Sequence, residues 1–394
     1  MTMTRRTALL VVGAAGATAL LAPGIAAAGS AAPSAPAASA DGSLTAALPA
    51  IEAFDEQARG LRFLRPVTVT TLSDAAFARA VVGDGRGPRA PFDTGATLQA
   101  LHLVPSGSAF DRQSGATTAE GVLGFYDNAS KQLVVRGRGT ATPFARVVLA
   151  HELTHALQDQ HFSLSRVQRG VTDADREDGV LGLVEGDAVT VQRQYLASLS
   201  AADKRAYAAE QAQAGGGSSG GAGDAVAKAV DALVGFPYVY GPDFVAALRR
   251  QGGQPALDRA FRDLPRSSKE ILDPGRYLFR RDRLRVFPVP PVPAGRTRVD
   301  TGRFGAYGIA TVLSAKVAIA QRSRAAIARN GDRFATWRIG SRACTRWRIS
   351  AESDGGRTTM LAAFRSWAAG YPGTGTQATA DPADKRGLTV VSCG

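Results

Sequence analysis

The segment His151-Glu152-Leu153-Thr154-His155 constrains the chain more than any other feature of its sequence. On an α-helix, residues four positions apart are separated by about 40° around the axis and by one turn along it. His151 and His155 can therefore direct one ring nitrogen each toward a single ion. The chain has only 4 histidines, and a chance HExxH has odds on the order of one in a thousand. The segment predicts a helical metal site, with Zn²⁺ as the expected ion, rather than two unrelated histidines.

Glu152 follows the first histidine and is expected beside the ligand set rather than within it. A zinc ion lowers the pKa of its bound water to about 7. A carboxylate next to that water can take its proton. The apolar residues at 147–150 are typical of a buried active-site helix. We therefore expect Glu152 to act as a general base.

His161 is one candidate for the third ligand. It follows His151 by ten residues, which is the metzincin spacing. That pattern uses a glycine to turn the chain, but Gln158 stands at the corresponding position. If the helix continues, His161 points away from the other two histidines, so it is the weaker candidate.

Glu185 is the favoured third ligand. It lies in the apolar segment 181–189, and a carboxylate buried in such a segment is costly unless it is paired. A metal ion is one such partner, and Arg193 is the alternative. Glu177 is a weaker candidate because it lies among charged residues and is expected to be solvated.

With these motifs the chain resembles a family, the uncharacterised exported bacterial zinc metallopeptidases of the gluzincin type (HExxH…E). The most specific similarity is in residues 124–127, 151–162 and 184–188. The resemblance implies a zinc ion on His151, His155 and Glu185, with Glu152 as the base. One departure is Asp273, which stands where a histidine is expected in that family.

The expected fold is α+β and zincin-like, with a small sheet packed on the HExxH helix and a largely helical second half that supplies Glu185. Residues 65–70 alternate in the manner of a strand, and residues 121–126 and 131–135 flank a turn as in a hairpin. The strand at 131–135 could bind an extended peptide by strand addition. An ordinary core strand is the alternative.

The first residues are typical of an export signal. Arg5 and Arg6 precede an apolar run, and small residues at 26–28 offer a cleavage site. The same arginines fit a twin-arginine signal, and an ordinary secretory signal or an uncleaved anchor remains as an alternative. Composition then divides the chain into a signal peptide (1–28), a flexible leader (29–43), a zincin-like catalytic domain (44–270) with a Gly-rich loop (214–223), and a basic C-terminal region (271–394).

Cys344 and Cys393 are the only cysteines. In an exported protein two cysteines usually form one disulfide. It would close a loop of about 50 residues, which is worth roughly 4 kcal/mol in the chain-entropy model. Two free thiols are the alternative.

The formal net charge is +13, and arginines concentrated in residues 276–348 account for most of it. Such a surface attracts polyanions. Since export is expected, anionic cell-envelope polymers are the favoured partners and nucleic acid is not. A solvated basic face without a specific partner is the alternative. We expect no transmembrane helix apart from the signal segment.

These features predict an exported zinc metallopeptidase that hydrolyses peptide bonds in peptide or protein substrates. The expected location is secreted, either extracellular or associated with the cell envelope. The alternative is a non-catalytic zinc-containing cell-surface, scaffolding or binding protein with the same ligands. A zinc hydrolase of other amides or esters is a minor alternative.

Overall fold

A computed structural model describes residues 42–82, 93–106, 123–137, 140–169, 171, 173–214 and 222–394. The predicted signal peptide (1–28) and most of the predicted leader (29–43) lie outside the described residues. So do residues 215–221 of the predicted Gly-rich loop, whose flanks are helical.

The described residues form a mixture of helices and strands, which confirms the α+β class. The helices are α1 (Leu44–Arg59), α2 (Asp74–Val82), α3 (Thr94–Ala100), α4 (Pro143–Phe162), α5 (Leu164–Arg169), α6 (Ala174–Ser198), α7 (Ala201–Ala214), α8 (Ala222–Val234), α9 (Phe236–Ala260), α10 (Ser268–Leu272), α11 (Gly305–Leu313), α12 (Ile319–Ile327) and α13 (Asp354–Ala369). The strands are β1 (Thr68–Leu72), β2 (Gly124–Asp127), β3 (Gln132–Arg136), β4 (Arg298–Gly302), β5 (Arg329–Ile339), β6 (Arg342–Ala351), β7 (Gln377–Ala380) and β8 (Gly387–Cys393).

A small sheet has the strand order β1-β3-β2, with β1 parallel and β2 antiparallel to β3. The predicted hairpin is present as β2 and β3. Of the two alternatives for β3, the structure supports the ordinary core strand, because β1 and β2 pair with its two edges. Strands β1 and β2 form the edges of this sheet instead.

Helix α4 carries the HExxH motif and lies at the centre of the fold. Thr142 caps its start by accepting a hydrogen bond from the Ala145 amide at 3.2 Å, and Pro143 takes the first turn, where its missing N–H costs nothing. Nearly every residue from Phe144 to Asp159 is buried. Helices α1, α6 and α7 and the small sheet pack around α4. The motif is therefore held from all sides, as its apolar flanks predict.

Helix α6 carries Glu185 and packs closely against α9. Asp173 caps its start by accepting from the Arg176 amide at 3.2 Å. Gly186 of α6 meets Gly241 of α9 backbone to backbone, and Gly182 meets the Ile271 side chain of α10. The glycine next to Glu185 thus allows the close helix contact that fixes where Glu185 points.

Gly186→Ala is expected to destabilise the fold by about 1–3 kcal/mol, the usual cost of overpacking. The added methyl group would clash with the backbone of Gly241. The matched control is Gly355→Ala on α13, where a Cβ would meet nothing within 4 Å. Urea unfolding of both variants measures the change. Equal stability of the two would contradict the close contact between α6 and α9.

The C-terminal region contains a five-stranded antiparallel sheet in the order β4-β5-β6-β8-β7. Its core includes Trp347, Phe364 and Trp367, all fully buried. The disulfide between Cys344 and Cys393 joins the neighbouring strands β6 and β8. This confirms the predicted pairing.

The predicted boundary at 270/271 falls inside α10, in a packed joint between the two regions. Asp175 of α6 accepts hydrogen bonds from the Ser268 amide at 3.0 Å and the Ser268 hydroxyl at 2.7 Å. The buried Arg329 of β5 lies 2.8 Å from Asp175 and 2.6 Å from Asp332. The C-terminal sheet is therefore attached to the start of the helix that carries Glu185. None of the described helices is long and apolar enough to cross a membrane.

Candidate metal centre

The structure brings together the side chains of His151, His155 and Glu185. The Nε2 atom of His151 lies 3.1 Å from Glu185 Oε2 and 3.1 Å from His155 Nε2. His155 Nε2 lies 3.3 Å from the same carboxylate oxygen. All three side chains are at least 97 % buried. Among the described residues, this is the group whose ligand atoms could hold a metal ion.

These distances fit the ligand set of a small tetrahedral ion. With metal–ligand distances of about 2.0–2.1 Å, two ligands of a tetrahedral zinc ion lie about 3.3–3.4 Å apart. The observed separations are 3.1–3.3 Å. Three protein ligands also leave one coordination position open, as in catalytic rather than structural zinc sites. The donor set and its spacing are therefore compatible with zinc.

The other nitrogen of each ring contacts a glutamine side chain. His151 Nδ1 lies 3.1 Å from Gln192 Oε1, and His155 Nδ1 lies 3.0 Å from Gln158 Oε1. Each Nδ1–H can donate to the amide oxygen, which leaves the Nε2 lone pair free to bind a metal. The outer partners of both histidines are thus neutral amides instead of carboxylates.

The charge distribution of the cluster favours a cation between the three groups. Burial lowers the pKa of His151. Burial opposes the charged form of His155 as well, but the adjacent Glu185 carboxylate raises the pKa of His155 to about 9. Burial would raise the pKa of Glu185, yet the two histidines hold it at about 2. An ionised Glu185 therefore attracts positive charge to the point where the three ligand atoms meet.

Glu152 lies beside this cluster and is fully buried. Its Oε2 accepts a hydrogen bond from the Tyr126 amide at 2.8 Å. Its Oε1 has no hydrogen-bond partner among the described residues. Burial raises the pKa of Glu152 to about 8, against the opposing effects of His155 and the Tyr126 amide. One carboxylate oxygen is thus fixed by the edge strand, while the other has no partner among the described residues.

Tyr126 holds β2 against α4 at two points. Its amide contacts Glu152, and its hydroxyl donates to Asp159 Oδ2 at 2.9 Å. Lys131 Nζ also binds Asp159, at 2.7 and 3.0 Å from its two oxygens. Glu152 and Asp159 are seven residues apart and so lie on one face of α4. The edge strand is fixed along that face, next to Glu152.

The alternative ligand candidates lie elsewhere. Helix α4 continues through His161, whose Nε2 bonds to the Arg62 carbonyl oxygen at 2.8 Å. Glu177 belongs to the first turn of α6, two turns before Glu185. The carboxylate that interacts with Arg193 is Asp243 rather than Glu185. His161 and Glu177 lie outside the described cluster, and Glu185 belongs to it.

Several residues of the site escape sequence reasoning. Gln158 lies three residues after His155, and Gln192 lies seven residues after Glu185. Both spacings place the two residues of a pair on one face of a helix, which is the only sequence signal for the two glutamines. Tyr238 of α9 is one of several downstream tyrosines that could serve as an oxyanion donor. Its ring centroid lies 6.3 Å from that of His151, a contact that no local pattern indicates. The role of the Tyr126 amide is likewise invisible, because a backbone group carries no sequence signal.

No family model, curated protein or solved structure matches this chain. The resemblance to exported metallopeptidases therefore stays a prediction. The geometry and chemistry of the described residues carry the functional argument.

Proposed function

We propose that this chain is an exported zinc metallopeptidase with a zincin-like fold. The observation that carries the proposal is the juxtaposition of a three-ligand cluster with the buried carboxylate of Glu152, one oxygen of which has no described partner. A structural metal site needs ligands only. A carboxylate that is buried beside the ligands and left half-satisfied costs stability, which favours a catalytic role for it.

In this proposal His151, His155 and Glu185 hold the ion. A bound zinc ion would polarise a substrate carbonyl and make water more acidic. The Oε1 atom of Glu152 takes the proton from the attacking water and returns it to the leaving amine. The Tyr126 amide keeps the other oxygen, Oε2, in place during both transfers.

The edge strand β2 favours an extended peptide as the substrate. Phe125 pairs with Val134 of β3, whereas the Tyr126 amide faces away from β3 toward Glu152. Since backbone groups alternate along a strand, Gly124 faces the same way as Tyr126. Because the Tyr126 amide is taken by Glu152, we propose that a peptide adds to this edge through the backbone groups of Gly124 and reaches the metal centre beside Glu152.

The non-catalytic alternative uses the same ligands, so only turnover distinguishes the two. The test is hydrolysis of a broad peptide library by the full chain after metal removal and after zinc addition. We expect cleavage with zinc and none without it. A protein that binds about one zinc ion per chain and cleaves no library peptide would support the binding or scaffolding function instead.

Export is supported by the disulfide, because such bonds persist mainly in oxidising compartments. The signal-like segment 1–28 points the same way. A secreted or cell-envelope location follows as part of the proposal.

A second proposed property is binding of anionic cell-envelope polymers by the C-terminal region. Residues 271–394 contain 21 Lys and Arg against 8 Asp and Glu, whereas residues 1–270 contain 26 of each kind. Part of the positive charge is neutralised internally, for example by Arg348–Asp381 and Arg285–Asp384. Around the Pro-rich connector 288–293, exposed arginines without a described ion pair remain: Arg280, Arg283, Arg296 and Arg298.

The triple variant Arg283→Gln/Arg296→Gln/Arg298→Gln should bind long-chain polyphosphate about 100-fold more weakly, at about 1 kcal/mol per side chain. Titration calorimetry at two salt concentrations measures it, since the interaction should weaken with salt. Arg62→Gln/Arg205→Gln/Arg250→Gln removes the same charge from exposed sites in the other region. Equal losses in the two variants would indicate a general charge effect and contradict a specific surface.

A further inference from the structure

A chain of buried side chains leads from His155 to α1. Gln158 Oε1 lies 3.0 Å from His155 Nδ1, and Gln158 Nε2 donates to Asp187 Oδ2 at 3.1 Å. Arg59 Nε donates to the same Asp187 oxygen at 2.7 Å. The side chains of His155, Gln158, Asp187 and Arg59 are completely buried. The chain therefore joins the metal centre to α1 without contact with solvent.

The direction of every hydrogen bond in this chain follows from chemistry. The Arg59 guanidinium can only donate, and an ionised Asp187 can only accept. The Gln158 amide nitrogen donates to Asp187 and also to the Val184 carbonyl oxygen at 3.0 Å. Both of its hydrogens are then used, which fixes the orientation of the amide. The Gln158 oxygen must face His155.

This orientation determines where the ring proton of His155 lies. An amide oxygen accepts only, so Nδ1 must carry the hydrogen that it receives. Nε2 then faces Glu185 Oε2, 3.3 Å away. Once Nε2 has released its own proton, its lone pair is free to bind the expected ion. If the amide were reversed, Nδ1 would have to accept, and Nε2 would carry a proton that blocks metal binding.

Arg59, at the end of this hydrogen-bond chain away from His155, is itself held in place by several contacts. Its Nη2 donates to Asp258 at 2.7 Å, and its guanidinium lies 5.9 and 5.8 Å from the ring centroids of Phe162 and Phe261. Asp187 Oδ1 is also 3.6 Å from Arg249. The charge of Asp187 is thus compensated from two sides, which keeps it an acceptor.

Gln192, the partner of His151, provides a natural comparison. It is only half-buried, and among the described residues no second hydrogen bond fixes its amide. Its oxygen and nitrogen can exchange places at little cost. The position of the ring proton is therefore fixed on His155 by the orientation of Gln158, whereas Gln192 fixes it less strictly on His151.

We infer that Gln158, held by Asp187 and Arg59, is a positioning residue that fixes the Nδ1–H form of His155 and so reserves its Nε2 for the metal. The inference rests on the metal centre of the proposed function, but it does not depend on turnover. Gln158 stands at the position where the metzincin pattern has a glycine.

The test compares Gln158→Met with Gln192→Met, since methionine preserves length and removes the hydrogen bond. Competition with a fluorescent chelator measures zinc affinity. Loss of such an outer partner typically weakens metal binding 10- to 100-fold, and we expect a loss of about this size for Gln158→Met. Gln192→Met should show a smaller loss. Equal affinity of Gln158→Met and the parent would overturn the inference.

A spectroscopic measurement separates positioning from mere packing. Long-range ¹H–¹⁵N spectra of the zinc-loaded full chain resolve the rings of its 4 histidines. In the parent, His155 should show metal on Nε2 and a slowly exchanging proton on Nδ1. In Gln158→Met that proton should exchange at least about tenfold faster, as expected for a lost hydrogen bond, whereas a packing role alone would leave it protected.

The parent spectrum alone decides the case if Gln158→Met does not fold. Zinc bound through Nδ1 of His155 would overturn the inference, and zinc bound through Nε2 with a protected Nδ1–H would support it. A protein that shows this pattern but cleaves no peptide retains the positioning role and loses only the proposed peptidase function.

Discussion

Glu152→Gln is expected to lower peptide hydrolysis by at least about 100-fold, the lower range for a lost general base. The substitution preserves size and can keep the hydrogen bond from the Tyr126 amide, which the parent makes at 2.8 Å. It removes the basic oxygen that has no described partner. Zinc content should stay at about one ion per chain, because Glu152 is not a proposed ligand.

Initial rates on a peptide cleaved by the parent measure the effect, with elemental analysis of the same samples for zinc. Glu177→Gln makes the same chemical change two turns before Glu185 on α6, outside the cluster, and should leave both values unchanged. If Glu152→Gln cleaved the peptide as fast as the parent, the activity would come from another site or from a contaminant.

Glu185→Gln is expected to weaken zinc binding by more than the roughly 100-fold typical of losing an outer partner. The reason is that it removes a ligand and the only negative charge of the ligand set. The carboxylate oxygen that it replaces lies 3.1 and 3.3 Å from the two imidazole nitrogens. Hydrolysis should fall together with zinc occupancy.

Added zinc distinguishes the two variants. Activity of Glu185→Gln should recover in part as the free zinc concentration rises. Activity of Glu152→Gln should not change, because this variant already holds zinc and lacks only the general base. Chelator competition gives the affinity, and Glu177→Gln is again the control. Full zinc retention by Glu185→Gln would remove Glu185 from the ligand set and return the search to other carboxylates.

The core of the candidate site is predictable from sequence because its signals are local. His151, Glu152 and His155 lie within one turn and a half of α4, so helical periodicity alone places them together. Glu185 is indicated by a different argument, the cost of burying a carboxylate among apolar residues. Neither argument requires knowledge of how the helices pack.

The surroundings of the site depend on packing and are not predictable in this way. Gln158 acquires its role only because α1 brings Arg59 to Asp187 of α6. The strand order β1-β3-β2 likewise depends on a parallel pairing that no hairpin signal contains. For that reason β1 and β2 are the edges of this sheet, and β3, for which strand addition or a core position is predicted, is its central strand.

Helix boundaries in the C-terminal region show the same limit. The helical pattern of residues 308–329 predicts a single helix, but α11 ends at Leu313 and α12 begins at Ile319. Apolar residues continue through the break, so periodicity alone does not reveal it. The sequence around Trp337 and Trp347 predicts two strands, which β5 and β6 provide, whereas it predicts neither β7 nor β8.

The joint at Asp175 bears on how this protein could be divided or recombined. Asp175 and Glu185 belong to the same helix, and Asp175 is bound by Ser268 and Arg329 from beyond the metal-binding helices. A fragment that stops at residue 270 would leave the start of α6 without Arg329, exposing a carboxylate that is normally enclosed. The arginine-rich portion is therefore no exchangeable appendage. Deleting it, or replacing it with a segment from another protein, would also disturb the helix that carries the proposed metal ligand Glu185.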